Sequence, residues 1–301
     1  MKKVLLTCSA LAWALGSWAQ VPKADVLDVV FNEDGTAVDV SQMGNEVTQV
    51  GTPKILKSDQ WGMNVMCTAD AVMGKQQSNC FTVALTDQIW EALQDGHTLE
   101  IFCRPFWEGA LNKSGWGSVL SFQQSGGNGL MIYDGEWYFE PHVGGSYVSM
   151  YGGTPIGQKW AHVVGVWNQE EGKSELYVNG QLQSTAAAEG ELGHPYVNVP
   201  FIAIGGDLSS GGHAEAAFPG DIAIARIYDK PLTADEVTAL YDDIQSRNTG
   251  AEDHKEDCKY PNLRYDDDGT VLIATGEELN SYALLTKESP YTSARLENDI
   301  D

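Results

Sequence analysis

The sequence predicts an all-β protein: one two-sheet antiparallel sandwich with two short helices, followed by a small incomplete C-terminal segment. Three observations carry this. Short apolar runs of strand length recur between clusters of Gly, Asn and Asp. Trp160-Ala161-His162-Val163-Val164-Gly165-Val166-Trp167 has the near-continuous apolar character of a buried strand. Asn179-Gly180 lies between two strand-like runs, Ser174–Val178 and Gln181–Gln183, and an Asn-Gly pair supplies the two positive φ angles that a type I′ hairpin turn needs.

In chain order, the first element is a leader. Met1-Lys2-Lys3 is basic, residues 4–16 are apolar, and Ser17-Trp18-Ala19 places small residues at −3 and −1 of a cleavage site, so residues 1–19 read as a signal peptide and Gln20 as the mature N-terminus. The apolar run is shorter than the ~20 residues a membrane-spanning helix needs. Cys8 stands too early in it for lipidation. The sandwich is expected over residues 20–245, with strands at Phe201–Ile204 and Asp221–Tyr228 and Gly-rich loops at residues 125–129 and 205–212. A helix over Thr86–Leu93 sets Ile89, Trp90 and Leu93 on one face. A second runs from Thr233, where Thr233 and Glu236 form a capping box and Val237, Leu240, Tyr241 and Ile244 an apolar stripe. Residues 246–259 are polar and charged and read as a linker. Residues 260–301 open a second, truncated unit, with a strand near Thr270–Ala274, a helix near Glu277–Leu285 and an extended run from Ala294. So short a unit has little core of its own.

Composition narrows the function. A formal net charge of −24 argues against a nucleic-acid partner, because a phosphate backbone calls for a basic face. The leader implies export to the periplasm, the cell surface or the medium, and with no later segment apolar enough to span a bilayer the mature chain is expected to be soluble once exported. Export permits disulfides. Cys67, Cys80, Cys103 and Cys258 follow the leader and allow three pairings. Cys67 ends one strand-like run and Cys80 begins the next, so an antiparallel pairing would bring them together; Cys103 is the rival partner for either. With no CxxC and no HExxH, zinc is not expected.

Several segments together resemble a known family. They are Trp160–Trp167, Glu175-Leu176-Tyr177-Val178-Asn179-Gly180, Ile202-Ala203-Ile204-Gly205-Gly206-Asp207, Phe218-Pro219-Gly220-Asp221-Ile222, and Pro231-Leu232-Thr233 through Leu240-Tyr241. They are similar to the laminin-G-like, concanavalin A-like jelly rolls of bacterial secreted proteins, over about residues 25–243. Phe31–Ser41 resembles that family's first hairpin. The resemblance implies a structural Ca²⁺ bound through Asp221 at the start of the last strand, with Asp39 in the first hairpin as a second candidate; a hard cation of this kind takes several oxygen ligands. The tail, from Val271-Leu272-Ile273 to Leu296-Glu297-Asn298-Asp299-Ile300-Asp301, is similar to the entry segment of right-handed β-helix proteins, which implies a longer parent.

No catalytic constellation is expected. The glucanases that share this sandwich resemble one another in a strand of alternating carboxylates, and glycoside hydrolysis needs two carboxyls at a defined separation. Glu170-Glu171 and Asp266-Asp267-Asp268 are consecutive and flank glycines, so they read as turns. There is no Gly-x-Ser-x-Gly and no phosphate-binding loop. Aromatic residues do concentrate between Phe106 and Tyr151, and Trp107, Trp116, Trp137 and Tyr147 are the candidate glycan contacts, beside Tyr138 and Tyr151. Because neighbours alternate across a strand, at least one residue of Trp137-Tyr138-Phe139 belongs to the core. The expected function is a secreted, non-catalytic recognition module for a carbohydrate or an extracellular protein. Two alternatives stay open: an accessory region of a glycoside hydrolase or polysaccharide lyase whose active site lies beyond Asp301, and a structural adhesin spacer.

Overall fold

A computed structural model describes residues 20–68, 71, 73, 75–106, 116–254, 262–266, 269–288 and 293–298. The leader, Trp107 and Cys258 lie outside the described residues. The chain opens with β1 (Leu27–Phe31), β2 (Ala37–Asp39), β3 (Val47–Val50), β4 (Lys54–Ser58), β5 (Met63–Cys67) and β6 (Cys80–Ala84). Helix α1 (Asp87–Ala92) leads into β7 (His97–Pro105), β8 (Trp116–Ser121), β9 (Gly129–Tyr133) and β10 (Glu136–Phe139). Then come β11 (His142–Val143), β12 (Ser146–Tyr147), β13 (Met150–Gly152), β14 (Ala161–Asn168), β15 (Lys173–Val178) and β16 (Gln181–Ala187). The sandwich closes with β17 (Phe201–Ile204), β18 (Asp207–Leu208), β19 (Ala214–Glu215), β20 (Gly220–Tyr228) and α2 (Ala234–Ser246). A terminal unit holds β21 (Arg264–Tyr265), β22 (Val271–Ile273), α3 (Gly276–Glu288) and β23 (Ala294–Leu296).

Two antiparallel sheets face each other. The first runs β16-β15-β14-β7-β20-β1-β2, with β5 beside the start of β20 and β4 beside β5. The second runs β13-β10-β9-β8-β17-β6-β3. Between them lies the main core, with Leu99, Ile101, Val163 and Trp167 from the first sheet and Phe81, Phe122, Ile132, Trp137 and Phe139 from the second.

The first sheet is covered on its other face too, which explains why β7 is buried along its whole length and why β14 reads as almost continuously apolar. Val164 and Val166 of β14 pack with Tyr177, Tyr228, Val237 and Leu240 beneath α2. The capping box expected at its start is present: Thr233 and Glu236 satisfy each other's backbone N–H. Under the same helix lies a buried polar network. Glu100 Oε1 is 3.0 Å from His162 Nε2, the Tyr228 hydroxyl donates to Oε2 at 2.5 Å, and Arg226 reaches Oε2 at 3.5 Å while also pairing with Asp28.

Beyond α2 the chain does not run free. Thr249 N–H donates to the Gln60 carbonyl, and Asp253 accepts from the Ser58 hydroxyl, Gln60 N–H and Trp160 Nε1. The front half of the expected linker is therefore a strap on the first sheet. The terminal unit pairs β22 with β23 in parallel through α3, and Leu263, Tyr265, Val271, Ile273 and Leu285 make a small core against Ile156 of the sandwich. That is more burial than the composition of this stretch suggests. Leu279, Leu284 and Leu296 stay exposed.

The expected Cys67–Cys80 disulfide is not formed. Cys67 closes β5 in the first sheet and Cys80 opens β6 in the second, so the two strands do not pair as the hairpin that would bring the thiols together. Burial pushes the Cys80 thiol up to about 12 and the Cys103 thiol well above its ordinary value, which leaves both as inert core thiols.

Candidate functional site

α2 and the strap lie over the first sheet, and on the outer face of the second sheet large rings stand exposed at Trp116, Tyr133 and Tyr151. The character of that outer face follows from one turn. Asp134 and Gly135 both take positive φ (51° and 83°), the type I′ geometry that fixes a two-residue hairpin. This sets Tyr133 opposite Glu136, Ile132 opposite Trp137 and Met131 opposite Tyr138. Ile132, Trp137 and Phe139 thereby enter the core, while Tyr133 and Tyr138 share the outer face. Trp116 lies opposite Tyr133 and Tyr151 opposite Tyr138, and all four rings gather there.

Ring centroids are 5.8 Å apart for Trp116–Tyr133, 5.4 Å for Tyr133–Tyr138, 6.3 Å for Tyr133–Tyr151 and 4.5 Å for Tyr138–Tyr151. Tyr138 is the buried floor; Trp116, Tyr133 and Tyr151 stand 40%, 36% and 37% exposed. A polar edge adjoins them. The Tyr138 and Ser149 hydroxyls both donate to Glu140 Oε1, and Gln123 Nε2 donates to Oε2 at 2.9 Å. Burial and the Glu140 carboxylate raise the Tyr138 phenol, so it remains a neutral donor.

Behind this edge lies Asp207, whose Oδ1 accepts from the Ser121 hydroxyl (2.5 Å), Gln123 N–H (3.1 Å) and its neighbour Leu208 N–H (2.7 Å). Burial pushes its carboxyl up to about 7 against the pull of those donors. Tyr147 borders the same surface. Its hydroxyl accepts from Gly126 N–H at 3.0 Å, its ring stands edge-on to His142, and burial, Glu140 and Asp207 all raise its phenol.

Of the expected glycan contacts, the structure brings Trp116 into the cluster and Tyr147 to its border, and removes Trp137. Trp137 is 1% exposed in the core because the hairpin register turns it inward. Tyr133 was not among the candidates, although the Tyr-Asp-Gly-Glu turn that orients it is plain in the sequence.

Calcium does not fit the residues named for it. Asp221 is buried; Arg104 donates to its Oδ2 from both Nε (3.0 Å) and Nη2, and His254 Nε2 lies 3.3 Å from Oδ1. A guanidinium, an imidazole and the nearby Cys67 thiol replace the six to eight oxygens that Ca²⁺ takes. Arg104 already supplies the charge that Asp221 must meet once buried. Asp39 is also committed, accepting from Asp28 N–H, both Ser41 donors and both Asn45 donors. The two carboxylates lie by opposite ends of β20 and do not converge. A groove of about 580 Å³ between strap, α2 and terminal unit is lined by Trp61, Trp160 and Arg104, among others. Both of its indole rings are engaged in packing on Phe102.

Comparison with known proteins agrees with this architecture. Residues 82–238, just over half of the chain, match the family model described as the concanavalin A-like lectin/glucanases superfamily. The chain belongs to that superfamily. The human pentraxin-related protein PTX3 is 36% identical over 84 residues, which are 26% of this chain and 22% of that protein. Among solved structures, the botulinum neurotoxin DC binding domain in complex with SialylT superposes with a TM-score of 0.55 at 16% identity, covering 74% of this chain and 52% of that one. The same domain in complex with rat synaptotagmin II gives 0.54 at 15%, with 74% and 52% covered. The binding domain of Paraclostridial Mosquitocidal Protein 1 gives 0.55 at 13%, with 73% and 52% covered. At such identities the superposition shows the jelly-roll fold alone. The chain spans about half the length of these structures and about a fifth of the pentraxin-related protein. No helix among the described residues is long and apolar enough to cross a membrane.

Proposed function

We propose that this chain is a secreted, non-catalytic glycan-binding module that tethers a larger extracellular or surface protein to carbohydrate through the outer face of its second sheet. The observation that carries the reading is the joining of three exposed rings and a buried tyrosine to the Glu140–Ser149–Gln123 edge. Sugars present apolar C–H faces and a rim of hydroxyls. Aromatic rings take the first, and orienting acceptors and donors take the second. The neurotoxin binding domains carry a glycan ligand in one structure and a protein receptor in another, and the interleaving of rings with hydroxyl-binding groups favours the glycan here. A non-catalytic role is supported by the state of the two nearby carboxylates, since Glu140 and Asp207 are each held by several internal donors. The signal-peptide pattern of residues 1–19 supports an exported module.

A glycan-array screen of the mature chain tests this. Retention on one or a few structurally related glycans is expected, and a flat array across neutral and charged glycans would contradict the reading.

A further inference from the structure

The aromatic cluster is not isolated on its face. From Trp116 at the start of β8 to Gln124 just beyond its end, extended chain covers roughly 25 Å. The far end carries a second group of rings. Tyr196, 85% exposed, is fixed by its backbone N–H on the Gln124 carbonyl. Its neighbour His194 is exposed and meets Trp90 edge-on at 4.5 Å. Tyr147 and His142 stand beside them, tied through Gly126 and Gly127.

Between the two groups run Ser149 and Glu140, with Gln123 and Asp207 buried behind them and Asp207 electrostatically in reach of Tyr147. Rings, polar edge and rings thus follow one another along the strand direction. Carboxylates are spread along this stretch. Glu136, Glu140 and Glu215 lie on it, and among the described residues no Lys or Arg pairs with Glu140.

Resting on the glycan reading above, we infer that the ligand is an extended, uncharged polysaccharide chain, bound along its length from Trp116 to Tyr196, and not a terminal or acidic sugar. The geometry gives the length, because a single sugar ring cannot touch both aromatic groups. The carboxylates give the charge class, because sialic acids, uronates and sulfates would be brought against the like charge of Glu136 and Glu140.

Calorimetric titration with oligosaccharides of increasing length, taken from the neutral glycan that the array identifies, tests this. Affinity is expected to rise with length until both ring groups are reached. Tyr196→Ala, at a solvent-exposed position, should weaken the long oligosaccharides roughly tenfold, which corresponds to about 1.4 kcal/mol, and leave the short ones unchanged. Equal affinity for short and long chains, or an indifferent Tyr196→Ala, overturns the extended tract while the site itself stands. Tighter binding of a uronate or sialylated chain than of its neutral counterpart overturns the charge class. Failure to bind any glycan overturns the site assignment beneath both.

Discussion

Glu100→Ala should lower the stability of the sandwich by about 3–5 kcal/mol, the loss typical when one partner of a buried ion network is removed. Glu100 is fully buried, and its carboxylate meets His162, Tyr228 and Arg226 beneath α2. Without it, the Arg226 charge keeps only Asp28, and the Tyr228 hydroxyl and His162 Nε2 lose their partner away from water. Thermal unfolding should show a fall of roughly 10 °C. Glu100→Gln, which keeps the shape and one acceptor, should lose less. A pH signature follows. Burial pushes the Glu100 carboxyl up, but Arg226, His162 and Tyr228 outweigh it and hold it at about 2 in the folded protein, below its ordinary 4.5. Its contribution is therefore complete above pH 4.5 and is lost as the pH falls from there towards 2. The alanine variant should lack that part of the acid sensitivity. An alanine variant as stable as wild type would show that the network contributes nothing net.

The second large effect is on binding. Removing two of the exposed rings in Trp116→Ala/Tyr151→Ala should weaken glycan binding roughly 100-fold, taking about 1.4 kcal/mol for each ring. Both side chains are over a third exposed, so the melting temperature should stay within a few degrees of wild type. Trp137→Ala is the useful contrast. That ring fills the main core, and its loss should cost about 3–5 kcal/mol of stability. Normal binding by the double variant at unchanged stability would remove the aromatic cluster from the site.

How much of this was legible in the sequence depends on the range of the interaction that decides each feature. Local signals were sufficient where the partner is close along the chain. Asn179-Gly180 does turn β15 into β16, with φ of 51° and 74°, and Thr233 and Glu236 do cap α2. The strands at Phe201–Ile204 and Asp221–Tyr228 fall where the apolar runs place them. Trp137 was misassigned because aromatic content alone carries no face. The face was nevertheless recoverable, since Asp134-Gly135 sets the register that separates Trp137 from Tyr133 and Tyr138. Cys67 and Cys80 show the opposite limit. Their strands are neighbours in sequence but belong to different sheets, and only pairing with β20 and β17 decides that. The Arg104–Asp221–His254 cluster likewise joins three distant segments, so a sequence reading that saw an acid at a strand end could not see the guanidinium waiting for it.

The most direct test of the central claim is to follow the indole N–H signals of the tryptophans by NMR while a bound glycan is titrated in. Trp116 should shift progressively and saturate, with the buried Trp137 and Trp167 still, and with Trp61 and Trp160, which line the groove under the strap, also unchanged. A saturating shift at Trp61 or Trp160 with Trp116 silent would place the glycan on the wrong face of the molecule and contradict the account.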